Sequence, residues 1–473
     1  MKGGWGDPMR EKFASRLGFI FLSAGSAIGL GNVWRFPFVA GQNGGGWFVA
    51  IYLVCLLLIG LPVLVMEFAV GRASQRSIVR SHETITPEKP LWRIHGAAGL
   101  FGCTVLMMFY TTVTGWMCIY FVKSALGVFG GMTAESVGAE FPKMLADPLS
   151  MSVAMLAVTL VSAAVCSVGL QRGVERVTKW MMLCLLALIV VLAANSIVLD
   201  ARNTGGAGVK FFLMPDFGRV RAVGLVKVVA AAMNQAFFTL SLGVGSMLVF
   251  GSYIGRDRSL LGEGLHVGLL DTLVAISAGL IVIPACFAYG VNPGHGTGLI
   301  FATLPNVFLH MPFGRLWGSL FFLFMCFAAL TTVIAVFEAI LACLMERFGW
   351  NRRKAGVVTG LGVSVLSFPC VLGFNVWSAF RPFGEGSCVL DLEDFVVSNL
   401  LLPLGGVAFA LYCSHRFGWG WKGFVEEANE GNGLKIPDGR SFAADAVRFY
   451  CAYVLPLAVL LVFVLGIVSK FRP

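Results

Sequence analysis

The sequence predicts an all-α polytopic membrane protein of eleven spans, ten of them forming two inverted five-span repeats. Three observations lead there. The 473-residue chain is 57% hydrophobic and only 13% charged, where soluble domains are about 25% charged. Apolar stretches long enough to cross a bilayer, roughly 20 residues each, recur along its whole length at a mean hydropathy of +0.83. Two of those stretches, the first and the sixth, are interrupted by a similar spacing of glycines.

The spans are expected near residues 17–40, 47–70, 96–126, 151–170, 177–199, 223–253, 265–289, 316–345, 355–374, 395–413 and 446–468. The opening MKGGWGDPMREKFASR is polar and basic, without a signal-peptide layout. It is expected in the cytoplasm, which places the tail ending at Pro473 outside, because eleven is odd. Charge agrees, since 23 of the 35 Lys and Arg fall near the loops so placed inside, the side that basic residues favour. That bias accounts for the +10 net charge without a nucleic-acid partner. The implied surroundings are a lipid bilayer, the cell (inner) membrane. Most of the twelve cysteines lie in apolar runs with no Cys-x-x-Cys or Cys/His ligand spacing, and read as small core hydrophobes. Cys370 and Cys388 are the only pair for which a bridge is conceivable. The loop after span 7, with Pro293, Gly294, Gly296, Gly298 and an apolar turn near Ile300–Leu309, is expected to fold back as an outer cap.

The first span carries GSAIGLGNVWRFP, Gly25 to Pro37. Each glycine costs a helix about 1 kcal/mol relative to alanine, and in hydrocarbon every freed N–H and C=O needs a partner. Gly25, Gly29 and Gly31 therefore mark either a close helix–helix contact or a span broken so that its backbone meets a solute or ion. The sixth span favours the second reading. Its Ser241–Ser246, SLGVGS, echoes Ala27–Asn32, AIGLGN, with four complete spans between them. Spans 1 and 6 thus take matching places in two repeats, residues 17–200 and 223–413, with residues 446–468 as an additional span. An odd number of spans per repeat inverts one half relative to the other.

Together with NGGG at Asn43–Gly46, MEFAVGR at Met66–Arg72 and FFTLSLGVG at Phe237–Gly245, this stretch resembles the neurotransmitter:sodium symporter family, nearest to its bacterial LeuT-like amino-acid transporters. The resemblance covers spans 1–10; a twelfth span is missing and the second outer loop is short. It implies a LeuT-like 5+5 inverted repeat with discontinuous helices 1 and 6. It also implies two sodium ions. One would bind the Ala27 carbonyl, Asn32, Thr239, Asp271 and the substrate's carboxylate. The other would bind the carbonyls of Gly25, Ile28 and Ala328 and the hydroxyls of Thr331 and Thr332, which without the family would read as hydroxyls bonded back to their own helix.

The same resemblance gives the substrate carboxylate to the amides of Leu30 and Gly31 and the hydroxyl of Tyr110. The substrate ammonium goes to the carbonyls of Ala27, Phe238 and Thr239 and the Ser241 hydroxyl. Leu106, Phe238, Ser241, Val244, Thr332 and Val336 would line a largely apolar wall, which disfavours charged side chains through desolvation. Monoamine carriers of the family place an aspartate where Gly29 stands, so an α-amino acid is expected. Val244 stands where the family prototype has a larger aromatic, so a bulky side chain is expected.

Asp271 is an intramembrane carboxylate, a costly and usually functional feature. It is expected to supply the negative charge that other members draw from chloride. Glu67 is expected to cap unwound backbone or share the charge network; Glu338 receives no role. Gates are expected from Arg35 with Asp394, over a lid of Tyr110 and Phe238, and from Arg10 with Glu346. Tyr253 and Gln235 would assist the inner and outer gate. The function so read is sodium-coupled import of a neutral, hydrophobic or aromatic L-amino acid. The alternative is a proton-coupled permease of the same architecture, with Asp271 carrying the proton. A membrane enzyme is not expected, because the six histidines lie mostly in loops at scattered positions.

Overall fold

The computed structural model describes residues 15–293 and 299–471. Among them the regular structure is helical, apart from one isolated bridge between Arg258 and Asn432. Span 1 is Arg16–Ala27 followed by Gly31–Gln42, the two meeting at 54°. Spans 2 to 5 are Gly46–Ser74, Pro90–Leu126, Pro148–Val168 and Leu170–Thr204. Span 6 is Leu225–Thr239 followed by Ser246–Gly251. Spans 7 to 11 are Leu260–Ala288, Gly314–Phe348, Arg352–Leu372, Val389–Ser414 and Phe442–Val468. Among the described residues nine single helices are long and apolar enough to cross a membrane, and counting the broken spans 1 and 6 brings the total to the expected eleven. Span 5 starts earlier than its hydropathy suggests, because a π-turn over Leu170–Glu175 carries a polar stretch into the helix.

Burial sorts the spans into layers. The apolar windows of spans 8 and 3 are 78% and 72% buried, that of span 5 only 28%. Spans 3 and 8 therefore form the protein-surrounded centre, and span 5 presents most of its surface to lipid. Departures from the α-ladder are satisfied locally, as hydrocarbon requires. Pro62 has no N–H to give the Leu58 carbonyl, and the preceding turn, Leu56–Gly60, widens to a π-turn. Tyr450 of span 11 fills that gap, its hydroxyl donating to Leu58 O at 2.5 Å.

The expected apolar turn after span 7 is a π-turn, Leu299–Thr303, running into the short helix Leu304–His310. Phe301 stacks on Phe141 of the loop helix Ala134–Leu145, ring centroids 4.6 Å apart, and meets Trp116, Tyr120 and Trp34. This aromatic cap covers the end of the bundle opposite the start of span 1. Gly294, Gly296 and Gly298 lie outside the described residues. All twelve cysteines are free, Cys370 and Cys388 included. Cys118 and Cys326 of the central spans come within 3.8 Å, a proximity their sequence positions do not announce.

At the end where span 1 begins, called the near end here, two histidines correct the expectation of scattered loop positions. His82, on the connecting helix Ile78–Ile85, and His95, in span 3, are buried and hydrogen-bonded, Nε2 to Nδ1 at 3.2 Å. Ser81 Oγ lies 3.2 Å from His82 Nδ1, and Tyr412, Trp92 and Phe409 surround the ring. Burial first, then the neighbouring His95, holds the His82 imidazole well below its usual 6.5. Its neutral form is thus favoured by folding, so stability is unaffected by it above about pH 6.5 and falls progressively as pH drops from there towards the lowered value of the folded state. Thermal unfolding in detergent should accordingly occur at lower temperature at pH 5.5 than at pH 7.5. His82→Gln should shrink that difference; an equal drop in both proteins would remove His82 as its source.

Candidate functional site

The two broken spans face each other at mid-depth. The first half of span 1 ends at Ile28, whose ψ of 87° leaves the helical region while its N–H still reaches Ala24 O at 2.6 Å. The chain resumes through a π-turn, Gly31–Arg35. Helical hydrogen bonding is thereby lost around Gly25–Ile28. In span 6 the break holds three residues at positive φ: Ser241 at 50°, Gly243 at 95° and Gly245 at 74°. Glycine adopts that region freely, which is why the stretch reads SLGVG. The breaks are stitched by side chains. Glu67 Oε1 accepts the Gly243 N–H at 2.5 Å, so the glutamate does cap unwound backbone, and Gln235 Nε2 donates to Gly31 O at 2.8 Å.

Asp271, fully buried in span 7, gathers the first oxygen cluster. Asn32 Nδ2 donates to its Oδ1 at 2.8 Å and to its backbone carbonyl at 3.1 Å. Thr239 Oγ1 lies 3.2 and 3.1 Å from the two carboxylate oxygens. Tyr52 of span 2 donates to Oδ2 at 3.3 Å, a partner the sequence reading missed. A tyrosine within an apolar run carries no signal of what it faces. Asn32, Thr239 and Asp271 are thus brought together; Ala27, the last residue of the helix before the break, is buried.

The second cluster is stranger chemically. Thr332 Oγ1 has the carbonyls of Gly25, Ser26, Ile28 and Ala328 at 3.1, 3.4, 3.3 and 3.5 Å. Thr331 Oγ1 donates to Ala328 O at 2.9 Å. A hydroxyl has one proton, so Thr332 cannot satisfy all three span 1 carbonyls. Carbonyls in excess of donors, converging on one point, suit a hard cation that takes oxygen ligands. All five residues expected there converge. Among the described residues no group of three or more His, Cys, Asp or Glu comes together, so the oxygen sets are not of transition-metal type.

Between the clusters, Tyr110 Oη accepts from Leu30 N at 2.7 Å. The two sit this close because residue 29 is glycine: a Cβ there would be 2.0 Å from Tyr110 Oη and 2.6 Å from Thr332 Oγ1. Leu106, Val244 and Val336 are buried nearby, and the Phe238 ring covers Gly31. Ser241 Oγ reaches Ser26 O only at 3.5 Å. A cavity of about 260 Å³ beside Ser124, Phe308 and Arg315 lies among the aromatic-capped loops, remote from these residues.

The outer rim differs from the expected pair. Arg35 makes no ion pair with Asp394. Its Nη2 donates to Asn234 Oδ1 at 3.0 Å, and its guanidinium stands 4.4 Å from the centre of the Phe238 ring. Asp394 instead accepts from Ser398 Oγ at 2.6 Å. Gln235 serves the break, not the rim. Arg10 lies outside the described residues, and Glu346 takes the N–H and hydroxyl of Ser77 at 2.9 and 2.7 Å. Glu338, without an expected role, is held by Arg352 at 2.6 and 2.8 Å and by the Tyr253 hydroxyl at 2.9 Å. A fully buried glutamate demands such a partner, and the sequence offered one in the cluster Arg352, Arg353, Lys354 opening span 9.

The sequence pattern of the sodium:neurotransmitter symporter family matches residues 10–129 and 139–469. An "uncharacterized sodium-dependent transporter YhdH" of Bacillus subtilis is 34% identical over 461 residues, 97% of this chain and 98% of that protein. The mouse "sodium-dependent neutral amino acid transporter B(0)AT2" is 22% identical over 568 residues, 99% of this chain and 74% of that one. A crystal structure of MhsT in complex with L-phenylalanine superposes with a TM-score of 0.84 at 34% identity, covering 97% of this chain and all of that one.

The contact at residue 29 is open to test. Gly29→Ala should push Tyr110 off Leu30 N and destabilise by about 1–3 kcal/mol, the usual range for overpacking. In a Tyr110→Phe background the same substitution should cost less, with Thr332 as the remaining obstacle. Equal losses of thermal stability in both backgrounds would contradict the crowding.

Proposed function

The chain belongs to the sodium:neurotransmitter symporter family, whose fold and chemistry are those of secondary transporters, and from that premise we propose that it imports a neutral, hydrophobic or aromatic L-amino acid by alternating access, driven by two sodium ions and independent of chloride. The observation that carries this is the pair of oxygen clusters on the two faces of the span 1 break, with the Leu30 amide and Tyr110 hydroxyl between them. In this reading Asn32, Thr239, Asp271 and the Ala27 carbonyl hold one ion beside the substrate carboxylate. Gly25, Ile28, Ala328, Thr331 and Thr332 hold the other. Leu30, Gly31 and Tyr110 take the carboxylate, Ser241 and the neighbouring carbonyls the ammonium, and Leu106, Phe238, Val244, Thr332 and Val336 the side chain. The neutral amino acid of one relative's name and the L-phenylalanine bound to the structural neighbour support that class.

Two ions are worth proposing on energetic grounds. At ~100 mV each moves with about 2.3 kcal/mol, and a tenfold gradient adds about 1.4 kcal/mol. Two supply roughly 7 kcal/mol, enough for ~10⁵-fold accumulation of a zwitterion at equilibrium. Orientation follows the basic bias of the loops: the near end in the cytoplasm, the aromatic cap outside, in the cell membrane.

In proteoliposomes, uptake of labelled amino acid should fall to background when choline replaces sodium. Undiminished uptake without sodium would instead favour the proton-coupled permease, with Asp271 as the proton carrier. A screen of all twenty amino acids in the same assay should select apolar and aromatic side chains.

The fixed charge of Asp271 makes a separate prediction. Wild-type uptake should be indifferent to chloride, while Asp271→Asn should make it chloride-dependent or abolish it. Unaltered, chloride-insensitive uptake by the variant would remove the proposed role.

A further inference from the structure

At the end of the bundle that carries the aromatic cap, span 3 ends and span 8 begins side by side. With the short helix Leu304–His310 they enclose the cavity of about 260 Å³. Phe129, Pro305, Phe308 and Leu309 give it apolar walls, and Ser124 brings one hydroxyl to its lining. Gly318 of span 8 keeps it open. A Cβ there would meet Phe308 at 3.4 Å and Ser124 Oγ at 3.6 Å, ordinary contact distances, so a longer side chain would grow into the void.

Arg315 lines this cavity and is itself exposed. Span 3 ends at Leu126, so the Ala125 carbonyl has no partner further along its own helix. Arg315 supplies that partner twice, from Nε at 2.9 Å and from Nη2 at 2.5 Å. Its Cδ packs over Gly127, where a Cβ would stand 3.3 Å away. A guanidinium has five N–H groups. The three left over have no partner among the described residues, and no carboxylate there pairs with the charge. The same edge carries Leu126 at 70%, Phe313 at 80% and Leu316 at 54% exposure. Apolar side chains so bare favour lipid over water, and Trp317, next along span 8, is of the type that sits at headgroup level. The cavity therefore opens where hydrocarbon gives way to phosphates, with a fixed cation at its mouth. Its volume is below the ~300–1,000 Å³ of sites that enclose a whole small ligand, and suits part of an acyl chain.

We propose that this cavity binds a phospholipid of the surrounding leaflet, its phosphate on the free edge of Arg315 and one acyl chain between Phe129, Phe308 and Leu309. Arginine grips phosphate through paired N–H donors, and basic pockets between spans take lipid head groups. The site stands apart from the transport reading and is tested without substrate. Native mass spectrometry of the full chain in detergent, titrated with dioctanoyl phosphatidylglycerol, should show one tightly held molecule. Arg315→Gln should weaken it about tenfold, the scale of a lost hydrogen bond to a charged group, and Arg315→Lys should weaken it less. Gly318→Leu, which fills the cavity from the opposite wall, should also weaken it about tenfold. Thermal unfolding without lipid checks that each variant is folded. Two measurements on the parent need no variant. Dioctanoylglycerol, with the chains but no phosphate, should bind at least about tenfold more weakly, and excess inorganic phosphate should leave the lipid in place. Equal affinity in the parent and Arg315→Gln, undiminished affinity in a folded Gly318→Leu, or equal binding of dioctanoylglycerol overturns the proposal. Displacement by inorganic phosphate also overturns it, and would mark a free-anion site instead.

Discussion

A helix opened in the middle of a membrane leaves carbonyl and amide groups that lipid cannot satisfy, and the architecture is arranged around that one constraint. The break at Ile28–Leu30 is answered from every side: by Thr332 of span 8 on its carbonyls, by Tyr110 of span 3 on the Leu30 amide, and by Gln235 of span 6 on Gly31 O. The answering spans 3 and 8 are also the most enclosed. That follows, because groups that must meet a broken backbone cannot face lipid. What remains over, acceptors beyond the available donors, is the chemistry that a cation completes.

Charge inside the bundle obeys the same logic. Asp271 receives three side-chain donors, Glu67 a backbone N–H, and Glu338 an arginine and a tyrosine. An isolated carboxylate in a low-dielectric interior costs several kcal/mol, so each buried acid identifies a place where two or more spans must keep register. Glu67 joins span 2 to the span 6 break, Glu338 joins span 8 to span 9, and Asp271 joins span 7 to spans 1, 2 and 6. At the near end Glu175 and Glu263 join spans 5 and 7 to the tip of span 1.

Much of the site was legible in the residues because its elements are local. The positive-φ stretch of span 6 requires glycines, and a run of glycines inside an apolar span is visible without any partner. The oxygen ligands around Thr331 and Thr332 could be placed only through the family resemblance, since hydroxyls in a helix ordinarily bond to their own turn. Arg35 shows the limit. An arginine and an aspartate near matching rims suggest a pair, but which acceptor the guanidinium meets depends on how far the two helix ends stand apart. Here Asn234 and the face of Phe238 are within reach and Asp394 is not.

The sequence by itself determined the membrane class, the apolar spans and the two breaks. These depend on composition, periodicity and the conformational range of glycine, all properties of a residue and its near neighbours. Only the tertiary structure decided the partners: Tyr52 on Asp271, Arg352 on Glu338, His95 on His82, and Glu175 and Glu263 on the start of span 1. Those pairings join residues 13 to 247 positions apart. Each is settled within a few tenths of an ångström by helix rotation and side-chain reach, quantities that no local pattern encodes.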